Sequence, residues 1–366
     1  MYVKKLFLQN FRNYTTQSVE LGSALNVFSG RNAAGKTNLL EAVYTLGIGK
    51  SPRTVKEREL VRFNADGTYA RAEVVKKYGN HTVEIYIDKK DKKRVAINKL
   101  PIKKLGELMG TLGIVYFSPD ELGLVKNAPS ERRRFLDIAL SQQSKSYFYT
   151  LGKYNKSILA RNKLIKEGGV SLQKTLDVWD DQVASLGAIL VDARRKFVDN
   201  LSKIASRVHE KVSLGEKLHL TYECPLVEND IPKIKEELLN KLGQNRERDI
   251  FLGFTSVGPH RDDIGIEVDG LDVKKYGSQG QQRTVALSLK LSELEIFKME
   301  MGEYPVLLLD DVLSELDKPR REKLLEEASK VQTILTCTHF EHTLPDSARH
   351  FAVKEGETEN KIERIK

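Results

Sequence analysis

Cysteine is nearly absent: Cys224 and Cys337 are the only two in 366 residues, and they stand far apart along the chain. That scarcity gives no support to a disulfide framework or to a cysteine-built metal site. Long apolar runs are missing as well. No stretch of eighteen apolar residues occurs, and the opening MYVKKLFLQNF is too short and too polar for a secretory signal, so a cytoplasmic location is expected. There is no internal repeat, no low-complexity tail, and no heptad seam sustained over enough turns for a long coiled coil. What remains is a chain with 40% hydrophobic residues, long enough for a large core and more than one domain.

Acidic charge falls short of basic charge. The net charge of +9 and a pI near 9.2 put a positive field over the surface, which favours a polyanion. Nucleic acid is the first such partner to consider and a membrane headgroup surface the weaker one; charge alone does not separate them.

GRNAAGKT, from Gly30 to Thr37, lies between the apolar run LNVFS and the amphipathic run NLLEAVYTLG. It fits the phosphate-loop pattern GxxxxGK[ST]. Backbone amides of Gly30, Arg31, Asn32, Ala33, Ala34 and Gly35 can turn toward a polyphosphate at the positive end of the following helix. Lys36 then reaches the β- and γ-phosphates, and the Thr37 hydroxyl ligates the bridging Mg²⁺. A polyphosphate and the Mg²⁺ that bridges it are implied, and what is done with the nucleotide stays open. The plain alternative is a glycine turn before a helix that starts with Lys-Thr.

KKLFLQNF, SALNVFS, TYARAEVVKKY, HTVEIYIDK, KRVAINK and GIVYFS read as strands, so the first third is mostly sheet around one helix. From Pro129 the periodicity becomes helical through PSERRRFLDIALSQQ, KSYFYTLGKYNKSILARNKLIKE and the long run from LQKTLDVW to HEKV. KLHLTYE is a strand candidate, DIPKIKEELLNKL a further helix, and FLGFTSVG, IGIEVDG and PVLLLDD return to strands. The pattern predicts an α/β domain split in sequence by a helical arm: head residues 1–118, arm 119–245, head again 246–366.

A second candidate phosphate site comes late. YGSQGQQR precedes a strong helix former, with Ser278 and Gln281 spaced as a capping box and Gly280 allowing close approach. Taken alone it is a well-capped helix. PVLLLDD follows, an apolar run ending in Asp310 and Asp311, which is the Walker B pattern: Asp310 would hold the Mg²⁺ shell and Asp311 would orient or deprotonate the attacking water. A strand ending in an Asp-Asp turn is the plain reading. SELD (Ser314 to Asp317) and QTILTCTH, ending at His339, come next.

In order, these elements resemble ABC-type ATPases: P-loop, signature helix, Walker B, D-loop and switch histidine. The roughly 240 residues between Lys36 and Ser278 point to the SMC-like branch with an inserted arm. Within it, LQNFRNY, PDELGLVKNAPSERRRFLD, GPHRDD and LDDVLSELDKPRREKLL resemble the RecF family, and the likeness covers essentially the whole chain. The resemblance implies an ABC-type P-loop ATPase head, a mixed sheet around the P-loop helix, with the arm inserted. It implies that Ser278, Gln279, Gly280 and Gln281 of one copy cap the γ-phosphate held by another, that Arg12 and Asn13 lie near the nucleotide, and that Lys36, Asp311 and His339 serve catalysis. It further implies an ATP-dependent homodimer with slow hydrolysis, acting on duplex DNA and single/double-strand junctions with RecR and, through it, RecO, to promote RecA loading. Three departures stand out: Asp311 where a glutamate is usual, GSQGQ for LSGGQ, and no Q-loop glutamine, the nearest candidate being FSPDE at Phe117 to Glu121.

Other clusters are weighed against structural roles. GPHRDD and HFEH (His339 to His342) have possible ligand spacing but are discounted as metal sites. Arg132, Arg133 and Arg134 could meet phosphates or pair with Glu121, Glu131 and Asp137. Lys89, Lys90, Lys92, Lys93 and Arg94, in a turn between two strands, are candidate DNA contacts or a solvated tip. Rival functions are a phosphotransferase or transporter ATPase, active as a monomer, and a nucleic-acid binder with a vestigial P-loop.

Overall fold

A computed structural model describes residues 1–168, 172–213, 215–340, 345–354 and 361–366. The chain opens with a hairpin, β1 (Tyr2–Phe11) and β2 (Tyr14–Glu20), then β3 (Leu25–Ser29) and helix α1 (Lys36–Ile48). Strands β4 (Gly67–Lys76), β5 (Gly79–Asp88), β6 (Lys93–Ile97), the short β7 (Leu100–Pro101) and β8 (Ile114–Phe117) come next. Helices α2 (Pro129–Gln143), α3 (Lys145–Glu167) and α4 (Leu172–Ser213) precede β9 (Leu218–Glu223), α5 (Ile231–Gln244) and α6 (Arg246–Leu252). Then follow β10 (Asp263–Val268), β11 (Leu271–Asp272) and α7 (Val273–Tyr276). The chain closes with α8 (Gln279–Met301), β12 (Val306–Asp310), α9 (Lys318–Ala328), β13 (Thr333–Cys337), β14 (Arg349–Lys354) and β15 (Lys361–Arg364).

Two compact units emerge: Met1–Gly123 with Lys211–Gly215 and Gly280–Lys366, and Leu124–Glu210 with Glu216–Gln279. The first unit, the head, holds two six-stranded sheets. One is antiparallel, in the order β2-β1-β4-β5-β6-β7; the other runs β15-β14-β3-β13-β12-β8 and is parallel from β14 to β8. Sequence texture explains the difference. In β4 and β5 apolar residues alternate with polar ones, burying Ala70, Ala72, Val74, Val83, Ile85 and Ile87 on one face and leaving the other outward. In β12 and β13 every residue is buried, as expected for central parallel strands covered on both sides. Each fully buried Leu or Val there contributes roughly 1.5–3 kcal/mol of transfer free energy. Gln332 ties the sheets together: its side chain accepts from Val3 N at 2.7 Å and donates to Val3 O and Gly22 O, each at 2.7 Å.

The second unit is largely helical, with a three-stranded antiparallel sheet, β11-β10-β9. It departs from the sequence reading at its end. The arm, expected to stop at residue 245, continues to Gln279, because β10 (the IGIEVDG run) pairs with β9 along Asp263↔Glu223 to Val268↔Leu218. FLGFTSVG, expected as a strand, is instead the end of α6 and a loop. Gly253 caps α6 at φ 74°, and the Asp249 carboxylate takes Ser256 N and Ser256 Oγ at 2.9 and 2.6 Å, so the backbone is committed to a turn. Strands β2, β14 and β15 and helix α9 were not anticipated.

Candidate functional site: a phosphate loop joined to paired aspartates

The head's parallel sheet places β3, β13 and β12 side by side, and therefore sets the loop after β3 beside the carboxyl end of β12. The loop's shape depends on its glycines. A Cβ on Gly30 would lie 2.3 Å from Val353 O, and Gly35 has φ 100° with its would-be Cβ 2.6 Å from Asn13 Nδ2. Helix α1 starts at Lys36, with the Asn38 and Leu39 amides donating to Gly35 O at 3.0 and 3.3 Å, and the positive end of its dipole faces the loop. Arg31, Asn32 and Ala33 are exposed, whereas Ala34, Gly35 and Lys36 are buried.

Lys36 points its ammonium back over the loop, donating to Gly30 O at 2.7 Å and Arg31 O at 2.9 Å. No carboxylate lies within ion-pair distance of it among the described residues, and burial lowers its pKa against the opposing pull of Asp311, Cys337 and Asp310. A cation held by carbonyls alone retains attraction for a dense anion. Thr37 Oγ1 donates to Asp310 Oδ1 at 2.8 Å. A hydroxyl and a carboxylate oxygen so placed are hard ligands suited to Mg²⁺, which bound there would neutralise charge between two phosphates. Asp310 is itself fixed by Thr336 Oγ1 at 2.9 Å and Tyr116 Oη at 3.1 Å. The Tyr116 phenol is raised in pKa, first by burial and then by Asp310, and stays a donor.

Asp311 leaves the strand in a left-handed conformation, φ 53°, with its N–H donating to Thr336 O and Oγ1 at 3.2 and 3.1 Å. Its carboxyl pKa is raised chiefly by burial, with Lys36 opposing and Asp310 and Glu315 adding to the rise. A non-glycine residue in this region is held there by its surroundings, and here the turn separates the two carboxylates. Cys337, close by, has its thiol pushed up to about 11, first by burial and then by Asp311, which disfavours the thiolate.

Arg12 sits in a left-handed turn between β1 and β2, φ 54°, and its guanidinium is bidentate to the buried Glu41 of α1 at 2.9 and 2.7 Å, with a third bond to Glu59 O at 2.8 Å. Glu41 also accepts from Ser51 Oγ at 2.6 Å and pairs with half-exposed Arg53 at 3.5 Å. Asn13 accepts from Asn38 Nδ2 at 2.9 Å and lies against Gly35. The two expected nucleotide neighbours thus act here as buttresses of the loop. Sequence reasoning missed Glu41, Tyr116 and Thr336; a polar residue inside an otherwise apolar strand or helix face was the available signal.

Ser278 and Gln279 are exposed; the serine immediately precedes α8 and Gln279 opens it, followed by partly buried Gly280 and Gln281. Within the head, α8 is linked to the D-loop: Arg283 donates to Glu315 O at 2.7 Å and pairs with its carboxylate at 3.0 Å, and Arg320 Nε donates to Thr284 Oγ1 at 2.6 Å. Deeper in α8, buried Lys290 pairs with Glu121 at 3.0 Å and Glu293 at 3.2 Å. Burial works against its charge, but the two carboxylates hold its pKa above the ordinary value. The FSPDE segment therefore supplies Glu121 as an ion-pair partner for α8. His339 is exposed after β13, with Thr338 between them.

Several expectations are corrected. Lys93 is not available to a ligand, since its ammonium is bound to Glu57 and to Gly49 O. Lys89, Lys90, Lys92 and Arg94 are exposed, with Lys89 loosely paired to Asp66 at 3.7 Å. Arg132 meets neither phosphate nor the carboxylates anticipated for it; it is buried and bidentate to Asp263 at 2.6 and 2.9 Å, with three carbonyls on its third nitrogen. In GPHRDD, His260 bonds Tyr154 Oη at 2.7 Å and Asp262 accepts from Tyr222 Oη at 2.6 Å. No metal-holding cluster occurs among the described residues, and Glu341 and His342 of HFEH lie outside them.

This geometry agrees with what the chain is similar to. The family described as RecF/RecN/SMC N terminal domain matches residues 2–361. The DNA replication and repair protein RecF of Clostridium tetani (strain Massachusetts / E88) is 44% identical over 98% of this chain and 99% of its own. That of Alkaliphilus oremlandii (strain OhILAs) is 46% identical over 94% and 95%. The chain belongs to the RecF family. A solved structure of the recombination mediator protein RecF with ATP, in the RecFOR pathway, superimposes on this RecF-family chain with a TM-score of 0.91 at 36% identity, covering 100% of this chain and 98% of that one. An Smc head bound to the C-winged helix domain of ScpA shares the fold at a TM-score of 0.58 and 16% identity. The fold is the SMC-type ABC ATPase head with an inserted, mostly helical unit.

Proposed function

We propose that this RecF-family chain is an ATP-gated clamp on DNA in recombinational repair and replication restart. ATP at Gly30–Thr37 of one copy is capped by Ser278, Gln279, Gly280 and Gln281 of a second, joining two heads over duplex DNA, including single/double-strand junctions. Hydrolysis then releases the pair. The observation that carries this reading is the 2.8 Å bond between Thr37 and Asp310, which joins the loop to the end of β12 as one phosphate and metal site would require, while Ser278 stands exposed ahead of its helix. Mg²⁺ held by Thr37 and Asp310 would supply charge neutralisation at the phosphates. Asp311, one residue on, would take a proton from the attacking water at its carboxylate, and His339 would sense the phosphate. The short reach of Asp311 favours slow hydrolysis, a timer in place of a motor, and the basic chain is read as a weak, DNA-dependent ATPase. Relatives named for the RecFOR pathway support a role with RecR and, through it, RecO, in loading RecA at gapped DNA.

To shift the heads from 1% to 99% paired at fixed protein concentration, ATP must favour the joined state by roughly 5.5 kcal/mol. Two shared phosphate sites can supply that. The test is Ser278→Arg, followed by nucleotide affinity and sedimentation together. ATP binding is expected to persist while ATP-dependent dimerisation disappears; a variant that still pairs in ATP would remove the clamp. Asp311→Asn is expected to do the reverse, keeping the dimer and losing about 10² to 10⁴ in hydrolysis rate. A monomer of that variant in ATP counts against the assignment of Asp311.

A further inference from the structure

The antiparallel sheet of the head has a second face, pointing away from the core, and its composition is unusual. Along β4, β5 and β6 the register sets Tyr69 opposite Tyr86 and Tyr86 opposite Arg94, so the three form one cross-strand row. Phe7 of β1, opposite Arg71, lies diagonally beside the row, its ring 6.0 Å from that of Tyr69. Strand alternation turns these side chains outward while Ala70, Ile85, Ile87 and Val95 fill the core. Tyr86 is 38% exposed, and the Arg94 guanidinium lies 5.9 Å from its ring centre. A groove of about 450 Å³ runs here, lined by Tyr69, Tyr86, Arg94, Ile102 and Lys103.

Charge says which occupant suits the groove. Lys93, Arg94 and Lys103 line it, and the segment that carries them, KKDKKRVAINKLPIKK from Lys89 to Lys104, holds basic residues at 89, 90, 92, 93, 94, 99, 103 and 104 against the single acid Asp91. Even with Lys93 committed to Glu57 and Lys89 near Asp66, the excess is strongly positive. The one carboxylate in the groove, Glu84, is engaged with the Tyr69 phenol. Aromatic faces set among cations on an open sheet are the arrangement that stacks unpaired bases and tracks a phosphate backbone; duplex DNA keeps its bases inside and cannot use the rings.

We infer that the outward face of β4–β7 is a single-stranded DNA site, with a base stacked on Tyr86 and the backbone held by Arg94 and Lys103. This rests on the proposed DNA function and adds to it the element that would meet the unpaired strand of a junction. The test uses the full chain with ATP, and anisotropy titrations of a labelled oligothymidylate and of a duplex of equal length at one salt concentration. Stacking is worth about 1–3 kcal/mol per base, so Tyr86→Ala should weaken the single strand roughly 5- to 150-fold with duplex affinity within about twofold. Tyr86→Phe, which keeps the ring, should match the wild type. Lys103→Glu, at an exposed position, should weaken the single strand independently if Tyr86→Ala folds poorly. Unchanged single-strand affinity in both Tyr86→Ala and Lys103→Glu, or an equal loss on duplex and single strand, overturns the site. Duplex binding without single-strand binding by the wild type overturns this inference alone; no DNA binding at all overturns the clamp as well.

Discussion

Buried cations occupy two regions of this molecule in opposite ways. In the second unit every buried guanidinium is answered: Arg161 by Asp180 at 2.6 Å and Asp249 at 2.7 Å, Arg132 by Asp263, Arg194 by Asp137 at 2.7 Å and the Tyr147 hydroxyl at 2.9 Å. In the phosphate loop of the head, Lys36 is buried and bonded to two carbonyls, with Asp310 and Asp311 near enough to pull on it but, among the described residues, no carboxylate in ion-pair contact. Both arrangements are costly in a low dielectric, but only the second leaves attraction to spare. The contrast separates charge that holds a shape from charge that awaits a ligand, and it does so without reference to any motif.

The comparison is broken most forcefully at Arg161. Arg161→Met strands Asp180 and Asp249 in the interior and should cost roughly 3–5 kcal/mol in urea unfolding; a loss below about 1 kcal/mol would mean the pairs are ornamental. A subtler probe lies in the same unit. Asp262, buried beside Tyr222, has its pKa raised to about 6, so its favourable contribution exists below its ordinary value and fades as pH rises through 6. His260, buried against Tyr154, is lowered to about 4, and its contribution is full above 6.5 and fades as pH falls through 4. The two slopes oppose each other across pH 4–6.5. Within this pair Asp262→Asn leaves only the His260 slope, so relative to the wild type stability should climb by up to about 3 kcal/mol from pH 4 to 6.5, read from denaturant midpoints. A flat profile in the variant contradicts the burial of His260. The gentlest test is Lys36→Ala, expected to leave the unfolding midpoint nearly unchanged while weakening ATP by roughly 10- to 150-fold in calorimetry, the worth of a charge-assisted contact. A large stability loss would place Lys36 with the paired cations.

Legibility in the sequence followed the same division. Lys36, Thr37, Asp310 and Asp311 could be read because close phosphate approach demands particular residues at fixed spacing, and the structure brings them together. The strands of the head were readable from alternation in TYARAEVV and from continuous burial in PVLLLD. Partners chosen by tertiary packing were not. Nothing local in IGIEVDG says that it pairs with KLHLTYE, and nothing in the triple arginine says that Arg132 reaches Asp263, 131 residues away. FLGFTSVG looked like a strand because its apolar residues were counted without Asp249, whose hydrogen bonds to Ser256 draw the backbone into a turn. Arg12 was placed near nucleotide, while the buried Glu41 that engages it sits 29 positions away in a helix.

The ion triad of Lys290 with Glu121 and Glu293 gives α8 a pivot. Lys290 is about 17 Å along the axis from Gln279 at 1.5 Å per residue, so a tilt of about 5° there would carry the tip roughly 1.5 Å. In the proposed clamp, the contact of this helix tip with another molecule's phosphate would be aimed from that triad, in which Lys290 and Glu293 are buried and Glu121 is partly exposed. Small disturbances next to Glu121 would blur the aim of the whole lever.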